Sequence, residues 1–181
     1  YANIPEINKH LQRSDRYLSG NIGIQAKSLG LEKRYIISSL MEEAIASSIL
    51  EGAATTRKVA KEMLKQRRKP INKHEQMVVN GYETMQMVIE RKNEKLTPEF
   101  LLEMQEKITK ETIDKTDIGK FRDNNETVVR DDDTGLVYHI PSDYKKIEKF
   151  MEELCDFANN DQEEFIHPII KGAILHFLIG Y

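Results

Sequence analysis

The chain has 181 residues, 39% hydrophobic and 31% charged. That fits one domain, or a domain with a small appendage, with a packed core under a well-solvated surface. The formal net charge of −3 gives no general reason to expect nucleic acid or an acidic membrane as partner. No apolar run approaches the ~20 residues of a membrane span. A single cysteine, Cys155, excludes an internal disulfide framework and any CxxC site. Set between Leu154 and Phe157 in an apolar helix pattern, it is expected in the core. The chain begins at Tyr1 rather than Met, so the sequence leaves open a targeting segment that was removed or left out.

Helix signals dominate from the start. Ile7, Leu11 and Leu18 are spaced for one face of a helix over residues 5–18, and Gly20 with Gly23 then breaks the pattern. Residues 31–51 form the strongest helix. Ile36, Leu40 and Ala44 mark one stripe, and Ile37, Met41, Ile45 and Ile49 another, which predicts burial from more than one direction. Gly52 is placed to end it in a left-handed cap. "KQRRKP" at 65–70 predicts a basic, solvated loop closed by proline. From about 73 to 92, Met77, Gly81, Met85 and Val88 repeat at helical spacing.

Thr97 and Pro98 then supply an N-cap and a first helical residue for "LTPEFLLEMQEKI". A further helix is expected from about Ser142, carrying Ile147, Phe150, Met151, Leu154 and Phe157. The last is expected from Pro168, carrying Ile170, Ile174, Phe177 and Leu178. "ETVVRDDDTGLVYHIP" alone has strand character: Thr127–Val129 and Leu136–His139 flank an Asp-rich turn containing Gly. A lone hairpin is marginal by itself. It must lean on the helices or use its free edge to bind something.

Most chemical motifs dissolve on inspection. The histidines, from His10 through His74, His139 and His167 to His176, form no HExxH pair and are expected in capping, core or surface roles. "DDDTG" lacks the alternation and closing Glu of a calcium loop. No GxGxxG, GxxxxGKS or GxSxG pattern is present. One residue resists a bland explanation. Glu51 closes the strongest helix at its C-terminal end, where the helix dipole already leaves partial negative charge. Ser47, four residues earlier, shares its face. Either Glu51 is a surface charge with Ser47 a small packing residue, or Glu51 is a carboxylate aimed at a cationic group.

Taken together, these segments resemble the Fic family, in the class that carries its own N-terminal inhibitory helix. "SSILEG" (47–52) is similar to the inhibitory motif of a Ser or Thr, three residues, then Glu followed by Gly or Asn. "GKFRDNNETVV" (119–129) resembles the segment leading into the family's β-hairpin, called the flap. "LVYHIPSDYKKIEKFMEEL" (136–154) is similar to the flap's second strand and the helix after it, and "HPIIKGAILHFLIGY" (167–181) to the helix before the catalytic loop. The family's loop, of the form HPFxDGNGRxxR, is absent up to Tyr181, and His167-Pro168 is not its start, because "IKGA" follows Ile169.

The resemblance implies an all-α fold, a mainly helical Fic-like bundle, with one β-hairpin flap. Residues 1–34 would be an N-terminal helical extension. Residues 35–181 would be a Fic-like domain cut before its catalytic loop, with the inhibitory helix at about 35–51 and the flap at about 126–140. The implied activity is self-inhibited protein adenylylation: AMP passes from ATP to a hydroxyl side chain of a target protein, and some members also remove it. ATP is the implied substrate and Mg²⁺ the implied metal. The catalytic residues are expected just after Tyr181, and neither they nor a metal ligand is assigned in this chain.

Glu51 would be the inhibitory acid, pairing with an arginine of the loop, and Ser47 would support it. Leu136, Val137, Tyr138 and His139 would border the nucleotide and hold the target by strand addition. No nucleic-acid or membrane partner is expected, a homo-oligomer is left open, and a cytoplasmic location is expected. A phosphocholine or other nucleotide donor stays open within the enzyme class. From a different class, the alternative is a non-catalytic helical module binding a partner strand at the hairpin edge.

Overall fold

Apolar residues at helical spacing build seven helices among the described residues, and the single strand signal builds one two-stranded antiparallel hairpin. The computed structural model describes residues 4–18, 32–160 and 165–180. Helix α1 (Pro5–Leu18) turns Ile7 and Leu11 to a half-buried face, as their spacing predicts. The break expected at Gly20 and Gly23 lies outside the described residues, as does the side chain of Leu18.

Helix α2 (Glu32–Leu50) packs against α3 (Arg57–Gln66) and α4 (Lys73–Glu90). Burial from two directions holds only around Ala44, Ile45 and Ser48. Ala44 and Ile45 are fully buried and Ser48 nearly so, whereas Ile36 and Ile49 stay partly exposed. The core gathers Ile45, Ala60, Met63, Leu64 and Val78, with Met41, Val79 and Tyr82 packed against it.

Helix α3 was not anticipated, although its signals are present. Thr56 caps it by accepting from the Val59 amide at 3.3 Å, and Ala60, Met63 and Leu64 fall on one buried stripe. It runs into the stretch expected as a loop and ends with Arg67 in the left-handed region (φ 51°). Nor is the basic run simply solvated. Arg68 donates to both carboxylate oxygens of Glu75, at 2.8 and 3.0 Å, and the Ile71 amide adds a third bond at 3.0 Å. Glu75 is buried, and a buried carboxylate persists only with such partners. Their bonds, Arg68 first, hold its pKa below the usual 4.5 against the opposing effect of burial.

Helix α4, capped by Asn72, is rotated from the expected face. Val78, Asn80, Gly81 and Thr84 are buried, while Met77 and Met85 are half-buried and Val88 is exposed. Small residues decide this. A β-carbon on Gly81 would lie 3.6 Å from Ser48 Oγ and 3.8 Å from Ala44 Cβ, so α2 and α4 meet closely along the Ala44–Ser48–Gly81 seam.

Helix α5 (Pro98–Thr109) starts as predicted, with Thr97 accepting from the Phe100 amide at 3.2 Å and Pro98 at its first turn. It packs on α4, then α6 (Ile147–Asn159) on α5, and α7 (Pro168–Gly180) on α6. Helix α6 begins at Ile147 rather than Ser142 because Asp143 caps a separate 3₁₀ turn, Tyr144–Lys146. Leu154 and Cys155 are buried as expected, and burial pushes the Cys155 thiol up. His167 takes the expected capping role: its Nδ1 accepts from the Ile169 amide at 3.2 Å, while Nε2 lies 3.1 Å from Asp15 of α1.

Candidate functional site

Three features of the fold bear on function: the C-terminal end of α2, the hairpin, and the cleft at the hairpin's base. At the first, the Gly52 amide donates to the Ile49 carbonyl at 3.1 Å and the Ala53 amide to the Ser48 carbonyl at 2.8 Å. With Gly52 at φ 89°, this is a Schellman ending, in which glycine takes the left-handed position without a Cβ penalty. Glu51 therefore sits at the cap itself, solvent-exposed, while Ser47 is half-buried and its carbonyl accepts from the Glu51 amide at 2.9 Å. The serine that packs between helices is Ser48, not Ser47. Among the described residues the Glu51 carboxylate makes no ion pair.

The hairpin joins β1 (Val129–Arg130) to β2 (Val137–His139), with Val129 opposite His139, Arg130 opposite Val137 and an irregularity between. Both strands are shorter than expected, and Thr127 and Leu136 lie outside the ladder. The Asp-rich turn is built around one carboxylate. Asp131 Oδ1 accepts from the amides of Asp133 and Thr134 and from the Thr134 hydroxyl, at 3.1, 2.6 and 2.7 Å. These bonds, the Thr134 hydroxyl first, lower its pKa. Gly135 closes the turn at φ 72°. Leu136, Val137 and Tyr138 are exposed and His139 is half-buried, so the four flap candidates lie together on one short segment with three of them turned to solvent.

What fixes this exposed ribbon is polar, and sequence patterning alone does not single it out. Arg122 donates to the carbonyls of Asn124 (2.7 Å) and Ser142 and to Asn125 Oδ1 (3.1 Å), and Asn125 Oδ1 also receives the Tyr144 amide at 2.9 Å. One guanidinium thus ties the entry of the hairpin to its exit. Upstream, Gln105 of α5 accepts from the Gly119 amide at 2.6 Å and donates to the Asp117 carbonyl at 3.0 Å. The signal was an Arg among Asp and Asn residues, composition that specifies local backbone bonding.

Beside the base of the hairpin lies a cleft of about 340 Å³, lined by Phe121, Thr127, Pro141, Phe150, Met151 and Ile179 among others. The C-terminal end of α7 opens onto it. Arg122 also borders a second, more polar cavity of about 650 Å³ with Asp117, Lys120 and Glu126. No cluster of three or more His, Cys, Asp or Glu side chains among the described residues could hold a metal ion.

Comparison with known proteins bears on this arrangement. Residues 95–181, which contain the hairpin, the cleft and α5 to α7, match the model of the Fic/DOC family. Residues 95–181 are Fic-like. The fold extends the likeness: the solved structure of a Fic family protein from Desulfovibrio desulfuricans G20 superposes with a TM-score of 0.73 at 20% identity, covering 98% of this chain. The same match covers 51% of the solved protein, so this chain spans about half its length. No curated protein matches the chain. No helix among the described residues is long and apolar enough to cross a membrane.

Proposed function

We propose that this Fic-like chain carries the target-binding flap and the inhibitory helix of a self-inhibited protein AMP-transferase. In this reading the catalytic loop follows Tyr181 in the full-length protein. The observation that carries the reading is an exposed hairpin whose entry and exit, at Thr127 and Pro141, border the same cleft as the end of α7. A loop continuing from α7 would enter where a strand laid along the hairpin edge could present its hydroxyl. Backbone pairing with that edge tolerates varied target sequences, and the polar staple at Arg122 keeps the edge in one place.

Glu51 supplies the brake in this reading. Its full charge adds to the partial negative charge at the end of α2, making an anionic spot for an arginine that would otherwise grip the ATP γ-phosphate. Ser47, one turn back on the same helix, supports that contact. ATP is the substrate, and the partner is a protein bound at Leu136–His139.

The test compares full-length wild type with Glu51→Gly, using labelled ATP with Mg²⁺ and thermal melting alongside. The variant should melt as wild type does and transfer more AMP, to itself or to a target. An isolated 1–181 chain should transfer none. Unchanged melting with no gain for any nucleotide or phosphocholine donor overturns the inhibitory role of Glu51. No transfer by either full-length form, with a binding partner retained at the hairpin, would favour the interaction-module alternative.

A further inference from the structure

Away from the hairpin, helices α2, α3 and α4 enclose a groove of about 640 Å³. Its floor includes Met41, Met63, Val79 and Tyr82, and its rim is the basic run Lys65, Arg67, Arg68 and Lys69. The volume falls within the ~300–1,000 Å³ range of small-molecule pockets. An apolar floor beneath a cationic rim is complementary to one kind of ligand. The geometry points to a binding site for a free, single-chain anionic amphiphile, such as an alkyl phosphate, with its chain on the methionine floor and its head on the rim cations.

The charges on the rim are available for this. Arg68 is committed to Glu75, but Lys65, Arg67 and Lys69 take part in no ion pair among the described residues. The one acid of the groove, Glu83, is paired with Lys107 at 3.7 Å. Tyr82 accepts a bond from Gln86 at 3.2 Å, which leaves the hydroxyl's own proton to donate.

Arg67 adds an independent sign. Its amide donates to Leu64 O and the Arg68 amide to Met63 O, the Schellman pattern in which the left-handed residue is usually Gly. Arg occupies that place at φ 51°, a conformation disfavoured for a residue with a Cβ. Backbone geometry gives no reason for arginine there, whereas a rim that must hold an anion does.

That substitution supplies the test. Decyl phosphate, below its micelle concentration, is titrated into the full chain by calorimetry and by methyl spectra of the methionines. Saturable binding is expected, tighter than about 1 mM, with shifts at the Met41 and Met63 methyls and none at Met104 or Met151. Arg67→Gly combined with Lys69→Ala should weaken it about tenfold or more, while melting no lower than wild type, because glycine relieves the left-handed residue. Equal binding of decyltrimethylammonium, unchanged affinity in the double variant, or shifts at all methionines alike would overturn the proposal. So would capture by anionic phospholipid vesicles without affinity for monomeric decyl phosphate.

Discussion

Asn80 offers the sharpest test of how the helices are held in order. It is almost fully buried in α4. Its Nδ2 donates to the carbonyls of Ile108 and Lys110 at 3.1 and 2.7 Å, and its Oδ1 accepts from Gln76 at 2.8 Å. Those two carbonyls belong to the end of α5, where a helix leaves acceptors without intrahelical donors. Asn80 is therefore a cap supplied by a neighbouring helix. Asn80→Ala removes three bonds worth about 1 kcal/mol each net and leaves two carbonyls short of a donor, for a loss of roughly 2–3 kcal/mol. For a chain of this size that lowers Tm by roughly 5–10 °C. Asn80→Asp should cost more still, because it faces two carbonyl oxygens with acceptors instead of donors. Thermal and urea melts of the three proteins at pH 7 read both effects. A loss below about 0.5 kcal/mol for alanine, the size of an ordinary surface change, would refute the capping role, as would aspartate tolerated better than alanine.

Gly81→Ala should raise stability by about 0.5–1 kcal/mol, since mid-helix glycine is costly and the new methyl meets Ser48 and Ala44 at ordinary contact distances of 3.6 and 3.8 Å; a lower Tm would show the seam to be tighter than that. Glu75→Gln should destabilise at neutral pH by weakening the pair with Arg68. The folded-state pKa of Glu75 is lowered from 4.5, so its stabilisation is full above that value and is lost as pH falls through the folded pKa. The gap between wild type and variant in pH-dependent melts should therefore close in acid, and a gap that widens there would contradict the assignment. Val137→Pro in the full-length protein removes a strand donor and should reduce modification of a target far more than nucleotide binding; equal loss of both would indicate general unfolding instead.

The helices were legible where local chemistry determines them. Thr97-Pro98, His167-Pro168 and Gly52 mark ends that the backbone must satisfy by short-range bonds, and each does so in the structure. What stayed hidden depends on approach between elements. The periodic stripe of α4 included Gly81, but the buried face turns from Met77 and Met85 to Val78, Asn80 and Thr84 beside it, because Ala44 and Ser48 let α2 come near. Helix α3 is short and ends in a basic run of loop-like composition, although Thr56 and the Ala60–Met63–Leu64 stripe mark its body. Arg68 looked like a solvated charge because its partner, Glu75, is buried only once α4 is packed. At the site, Val137–His139 were legible as a strand, whereas Leu136 lies outside it. Arg122 was not legible, since its acceptors are backbone carbonyls on both sides of the hairpin and sequence gives no measure of their proximity.

That placement of Arg122 has a mechanical consequence for any strand-addition role. The described ladder is two residues against three, too little to be stable unaided, and its outward residues are exposed rather than packed. Hydrophobic burial thus contributes little to holding the edge. Charge-assisted bonds from Arg122 anchor the two ends of the ribbon, and Gln105 fixes the approach to it from α5. An edge anchored at its base, with Leu136, Val137 and Tyr138 exposed, presents backbone donors and acceptors in a constant position without committing side-chain pockets to one sequence. Selectivity for a target, in the reading proposed above, then has to arise elsewhere: from residues flanking the paired strand, or from the order in which the α2 brake is released and the edge is filled.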